Sequence, residues 1–99
     1  MRYRFADKRL EELYLHGAGS ERYPQGIAEM FVRRVRTIEA AADERDLRAL
    51  KSLHFEKLKG GKDRYSIRLN NAWRLILTIE KDKDGKIVVI IKINKHYGN

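Results

Sequence analysis

Apolar residues recur at helical spacing in the first half of the chain and at every second position in the other half. The change falls near residue 53. Residues 1–5, "MRYRF", alternate and read as a first strand. Asp7 stands where an N-cap belongs, ahead of Leu10, Leu13 and Tyr14, and Gly17 supplies a C-terminal stop. That pattern predicts a short helix over about residues 8–16. "GAGSERYPQG" reads as a loop, with Pro24 suited to the first turn of the next helix. The second helix has the clearest stripe: Ile27, Phe31, Val35, Ile38 and Ala42 are spaced 4, 4, 3 and 4. Arg33, Arg34 and Arg36 lie mainly off it. Asp43 is placed to cap a further turn, "ERDLRAL", with Leu47 and Leu50 facing inward.

Beyond residue 53 the period is two. "FEKLK" reads as a short strand, "GGKD" as a turn, and "RYSIRLN" and "WRLILTIE" as alternating strands. "KDKDG" is a second turn with Asp84-Gly85 as its hairpin signal, and "KIVVIIKIN" is the last and most deeply buried strand. The order predicts an α+β fold, with two N-terminal helices packed on one face of a mostly antiparallel sheet of four to five strands. There is no repeat, linker or low-complexity segment, so residues 1–99 are expected to form a single domain.

The alternation assigns faces. Tyr65, Ile67 and Leu69 share one side with Trp73, Leu75, Leu77 and Ile79, a floor for the helices. The opposite side carries Arg64, Ser66, Arg68 and Asn70, then Arg74, Ile76, Thr78 and Glu80. The same alternation places Val88, Ile90, Lys92, Asn94 and His96 in line on that side. A three-residue loop at 70–72 puts Arg68 directly opposite Arg74. Like charges so placed destabilise a strand pair. A solvent-facing sheet accounts for one arginine more readily than for two together. A paired guanidinium site for phosphate accounts for both.

Charge strengthens the second reading. The net charge is +8 and the pI about 9.9, but residues 1–50 carry only +1 and residues 51–99 carry +7. The excess lies in the half that forms the sheet, which favours an anionic partner. There is no cysteine, so neither disulfides nor a thiolate site are expected. No apolar run is long enough for a transmembrane helix, and the charged N-terminus lacks a signal region, so a cytoplasmic location is expected without membrane association.

Three histidines are available. His16, His54 and His96 have neither cysteines nor an HExxH pattern beside them, so no metal site is expected. GxxxxGK[ST] and GxSxG patterns are absent too. Histidine with Lys and Arg suits metal-independent RNA cleavage, where the RNA supplies its own 2′-hydroxyl nucleophile. His16 is placed to interact with the end of the first helix. His54 is open to a core, loop or site role. His96 shares the nominal face of the arginines.

The blocks "DLRALKSLHFEKLKG", "YSIRLNNAWRLIL" and "KINKHYG" together resemble the RelE/ParE superfamily of bacterial toxins, closest to the HigB-like plasmid-maintenance killer toxins. The resemblance covers about residues 45–97. It implies a RelE-like, microbial-ribonuclease-type fold and a type II toxin that inhibits translation by cleaving mRNA, typically on the ribosome. It implies no cofactor and a helix-turn-helix, HigA-like antitoxin as partner. In that pattern His54, Lys59 and Arg74 correspond to substrate-positioning or phosphate-stabilising groups. Many relatives end in Asp-Tyr-His. Aligning on histidine places Asn94, Lys95 and His96 there, and aligning on the strand places Lys95, His96 and Tyr97 there. The acidic residue is missing in both.

Arg74, His54 and His96 are therefore the expected catalytic groups. Lys59, Arg64, Arg68, Lys95 and Tyr97 are expected to hold substrate, with Lys95 or Tyr97 substituting for the missing acid. The alternative is a non-enzymatic inhibitor of DNA gyrase, as in the ParE branch, whose basic surface meets a protein or protein–DNA complex.

Overall fold

The computed structural model describes residues 1–60 and 62–95. Its elements are β1 (Tyr3–Phe5), α1 (Lys8–His16), α2 (Ile27–Ala40), α3 (Glu44–Ala49), β2 (Glu56–Lys57), β3 (Arg64–Arg68), β4 (Trp73–Asp82) and β5 (Gly85–Lys95). Short 3₁₀ turns occupy Ser20–Arg22 and Lys51–Leu53.

Helix α1 follows its sequence signals. The Asp7 carboxylate accepts the Arg9 N–H at 2.7 Å, and Gly17, at φ 68°, returns its N–H to the Leu13 carbonyl at 2.9 Å. Helix α2 starts later than expected. Pro24 lies ahead of it, and its carbonyl accepts the Ile27 N–H at 3.1 Å. The chain enters α2 through Gly26 at φ 90°, a left-handed conformation that proline cannot adopt. Ile27, Phe31, Val35 and Ile38 are buried as the stripe predicts, but Ala41 completes it and Ala42 is exposed. The helix ends at Ala40 and the backbone is extended at Ala41, so the four-residue projection stops there. Leu47 is buried beneath α3, whose Asp43 cap accepts the Arg45 N–H at 2.9 Å. Leu50, expected inward, is 47% exposed because α3 has already ended and the chain is extended.

The sheet order is β1-β5-β4-β3-β2. β1 pairs with β5 in parallel, and the other three pairings are antiparallel. α1 and α2 cover one face, where Ile67, Leu69, Leu75, Leu77, Val88 and Ile90 join Leu13, Phe31, Val35 and Ile38 in the core. The rings of Phe5 and Tyr14 both contact Phe31, at 6.2 and 6.5 Å between centroids. The "FEKLK" strand is shorter than expected, only Glu56–Lys57.

One irregularity changes the reading of the opposite face. Leu77 opposes Ile90, but Ile76 opposes Lys92, so Ile91 is an extra residue in β5. Before this bulge, Val88 and Ile90 face the helices and are fully buried. After it, Lys92 and Asn94 oppose Ile76 and Arg74 on the other face. The expected line Val88, Ile90, Lys92, Asn94 is thus broken, because a bulge inverts the parity of every later residue.

Candidate functional site

The face away from the helices is laid out by cross-strand pairing. Asn70 Oδ1 accepts the N–H groups of Ala72 and Trp73, both at 2.8 Å, and the Trp73 carbonyl accepts the Leu69 N–H at 2.9 Å. This closes the three-residue loop and sets the register, with Arg68 directly opposite Arg74 and Arg74 opposite Asn94. Glu56, Ser66, Ile76 and Lys92 form the adjacent row across four strands.

The two arginines differ in their commitments. Arg68 Nη1 lies 3.2 Å from His54 Nε2, and its Nη2 donates to Asn71 Oδ1. The Arg68 carbonyl accepts Arg34 Nε at 3.0 Å, and Arg34 Nη2 reaches the Ser52 carbonyl at 3.4 Å. Burial, then the nearby Arg33 and Arg68 charges, lower the pKa of Arg34, although a guanidinium keeps its proton in proteins. Among the described residues Arg74 makes only a long contact, 3.4 Å from Nη1 to the His54 carbonyl. Its guanidinium is therefore the one with donors to spare.

His54 is held by backbone and neighbours. It ends the Lys51–Leu53 turn in the left-handed region, φ 45° and ψ 50°, with its N–H on the Lys51 carbonyl at 3.1 Å. The next residue, Phe55, stacks on Tyr65 at 4.9 Å and 6° between planes, and Arg48 lies over the Phe55 ring. A guanidinium offers only donors, so in this contact His54 Nε2 is the acceptor and the ring N–H lies on Nδ1.

The remaining expected residues divide. Lys95, opposite Trp73 at the end of β5, lines the same hollow as Arg74. Arg64 lies on the arginine face but four residues from Arg68, roughly 13 Å along the strand. Lys59 is exposed in the β2–β3 turn. His96 and Tyr97 lie outside the described residues. His16 ends α1 and pairs with Glu12 at 3.7 Å, away from this cluster in the chain's layout.

Beside Arg74 is a hollow of about 290 Å³ lined by Glu56, Leu58, Ser66, Arg74, Ile76, Asn94 and Lys95. Sequence reasoning did not mark Asn71, Arg34 or Glu56 as site residues. For Glu56 a signal exists: its pairing partner is Ser66, so it shares the arginine face once β2 is in register. Asn71 adjoins Arg68 only through the loop's curvature, which alternation does not describe. Chemically, the cluster supplies a guanidinium with free donors, a second guanidinium tied to an oriented imidazole, and a hollow mixing apolar walls with polar groups. Among the described residues no three His, Asp or Glu side chains group as metal ligands, and no helix is long and apolar enough to cross a membrane.

Comparison with known proteins accords with this architecture. The family model described as the RelE-like toxin of the type II toxin–antitoxin system HigB matches residues 3–91. Toxin HigB-1 of Vibrio cholerae serotype O1 is 36% identical over 77 residues, spanning 77% of this chain and 81% of that protein. Among solved structures, a YoeB/ParE toxin from Agrobacterium tumefaciens superposes with a TM-score of 0.58, covering 98% of this chain and 100% of its own at 15% identity, a likeness of fold. A type II toxin has a cognate antitoxin as its partner. On the match across residues 3–91 and the identity to a HigB toxin, the chain belongs to the HigB-like family of RelE-like toxins of type II toxin–antitoxin systems.

Proposed function

We propose that the protein is a metal-independent endoribonuclease that cleaves mRNA, acting on ribosome-bound message and so halting translation. The observation that carries this reading is the opposed pair Arg68 and Arg74, with His54 fixed between them on the open face of the sheet. The 2′-oxygen attacks the adjacent phosphorus, the bond to the 5′-oxygen breaks, and the products are a 2′,3′-cyclic phosphate and a 5′-hydroxyl. Arg74 donates to the phosphoryl oxygens as negative charge builds. Arg68 keeps the His54 imidazole in the Nδ1–H tautomer, so that Nδ1–H donates a hydrogen bond to the leaving 5′-oxygen as charge builds there, and solvent supplies the proton that this oxygen takes up. His96 takes the proton from the 2′-hydroxyl, supported by Lys95 or Tyr97 where relatives have an acid. Lys59 and Arg64 contact the flanking backbone, where cations add salt-dependent affinity. The antitoxin partner is of the helix-turn-helix, HigA-like kind, and the site needs no cofactor.

The test is to incubate purified protein with programmed ribosomes in EDTA and map the cut ends. Cuts bearing cyclic phosphate that vanish in Arg74→Ala support the reading. Intact message together with lost DNA supercoiling in expressing cells supports gyrase inhibition instead.

A further inference from the structure

The hollow beside Arg74 holds groups that phosphate chemistry does not use. Ser66 is only 3% exposed, yet its hydroxyl has no hydrogen-bond partner among the described residues and is not sealed from the hollow it lines. A hydroxyl left open to a hollow is free to bond a group seated there. The Glu56 carboxylate, on the residue directly opposite Ser66, has neither an ion pair nor a hydrogen bond among the described residues, despite the basic surroundings. An ionised carboxylate beside Arg74 repels phosphate, so a pure anion site has no use for it. Leu58 and Ile76 contribute apolar walls, and the Asn94 amide lies across the sheet from Arg74. At about 290 Å³ the hollow sits at the small end of ligand cavities, roughly 300–1,000 Å³, and suits one ring system.

Resting on the nuclease reading, we propose that this hollow is a nucleobase pocket. It takes the base adjoining the phosphate held by Arg74 and prefers a base with an exocyclic amino group. The flat faces of the base lie against Leu58 and Ile76. The amino group of adenine, cytosine or guanine donates to Glu56, an acceptor-only group when ionised. Ser66 and Asn94 each donate or accept, and they satisfy the remaining edge. Uracil presents carbonyl oxygens where the others present amino groups, and these meet the Glu56 carboxylate unfavourably. The pocket thus selects the base while Arg74 holds the backbone, the usual division between reading and positioning contacts.

The experiment is an NMR amide titration of the full chain with the 3′-monophosphates of adenosine, cytidine, guanosine and uridine, and with inorganic phosphate. All five probes shift resonances around Arg74. The three amino-bearing nucleotides also shift Ser66, Ile76 and Asn94 and bind on the order of tenfold more tightly than the uridine nucleotide, the scale of one charge-assisted hydrogen bond. Glu56→Gln, on an exposed two-residue edge strand, brings the four nucleotides to within about twofold. Ser66→Ala weakens all of them about threefold, the scale of one neutral bond. Equal binding of the four nucleotides and phosphate overturns the pocket, as does an unchanged ranking in Glu56→Gln. Because these probes are not cut, the ranking stands or falls apart from cleavage: no cuts on ribosomes with the ranking intact rejects the nuclease and keeps the pocket.

Discussion

The two faces of the sheet are built from alternate residues of the same strands, yet they have opposite characters. Toward α1 and α2 stand Ile67, Leu75, Leu77, Val88 and Ile90, all fully buried in one cluster with Phe31 and Ile38. Away from them stand Arg68, Arg74, Lys92 and Asn94, on the face opposite α1 and α2, where Ile76 and Val89 are the buried apolar residues among those described. The helix-covered face gains free energy from removing apolar area from water, about 1.5–3 kcal/mol for each large side chain fully buried. The open face gives some back by holding two guanidiniums in opposition. Stability and proposed chemistry are thus separated by parity along the strand, one residue apart.

That separation can be broken by mutation, and the largest effect should come from the covered side. Phe31→Ala should cost roughly 3–5 kcal/mol in urea unfolding. This is a large share of a typical total of about 5–15 kcal/mol. Cleavage per folded molecule should be unchanged. On the open side, Arg74→Ala should slow cleavage on the order of a hundredfold in end-mapping assays. Its unfolding midpoint should shift by no more than about 0.5 kcal/mol. A midpoint loss comparable to that of Phe31→Ala would show that the open face is structural after all. Arg68→Ala should cost less, about tenfold in rate, because its part is to orient His54. If Arg68→Ala proved worse than Arg74→Ala, their roles would have to be exchanged.

The smallest effect concerns acid. The Arg45 guanidinium, with its backbone N–H, holds the Asp43 carboxyl down at about 2, against 3.8 ordinarily. A carboxyl depressed by folding stabilises the native state above its unfolded pKa and loses that contribution as pH falls through the folded value. The window is therefore about pH 4 to 2. Asp43→Asn keeps an acceptor for the α3 cap without titrating, so its thermal midpoint should fall less steeply across that window. Cleavage at neutral pH should not change.

Much of this was legible in the sequence, for local reasons. Asp7, Gly17 and Asp43 announce helix ends because capping is a contact between near neighbours. The opposition of Arg68 and Arg74 follows from alternation and loop length alone. Pro24, Ala42 and Leu50 were misplaced by a turn or less, each at a point where backbone conformation leaves the helix and periodicity loses its meaning. The hold of Arg68 on His54 joins residues fourteen apart in the chain, and only the folded sheet brings them within 3.2 Å. The environment of Ser66 was equally hidden, since it depends on Glu56 and Leu58 arriving from a strand of two residues.

The bulge at Ile91 bears on how the end of this chain is compared with its relatives. Because one supernumerary residue inverts parity, the side reached by each residue from Lys92 to Lys95 depends on its count from the bulge, not on its resemblance to a letter in another sequence. An alignment that slides the end of β5 by one position exchanges the sides assigned to Lys92, Ile93, Asn94 and Lys95 without changing a single residue type. Insertions and deletions near residue 91 then change which residues stand opposite Ile76 and Arg74. Relatives are best matched there by counting outward from the residue opposite Ile76.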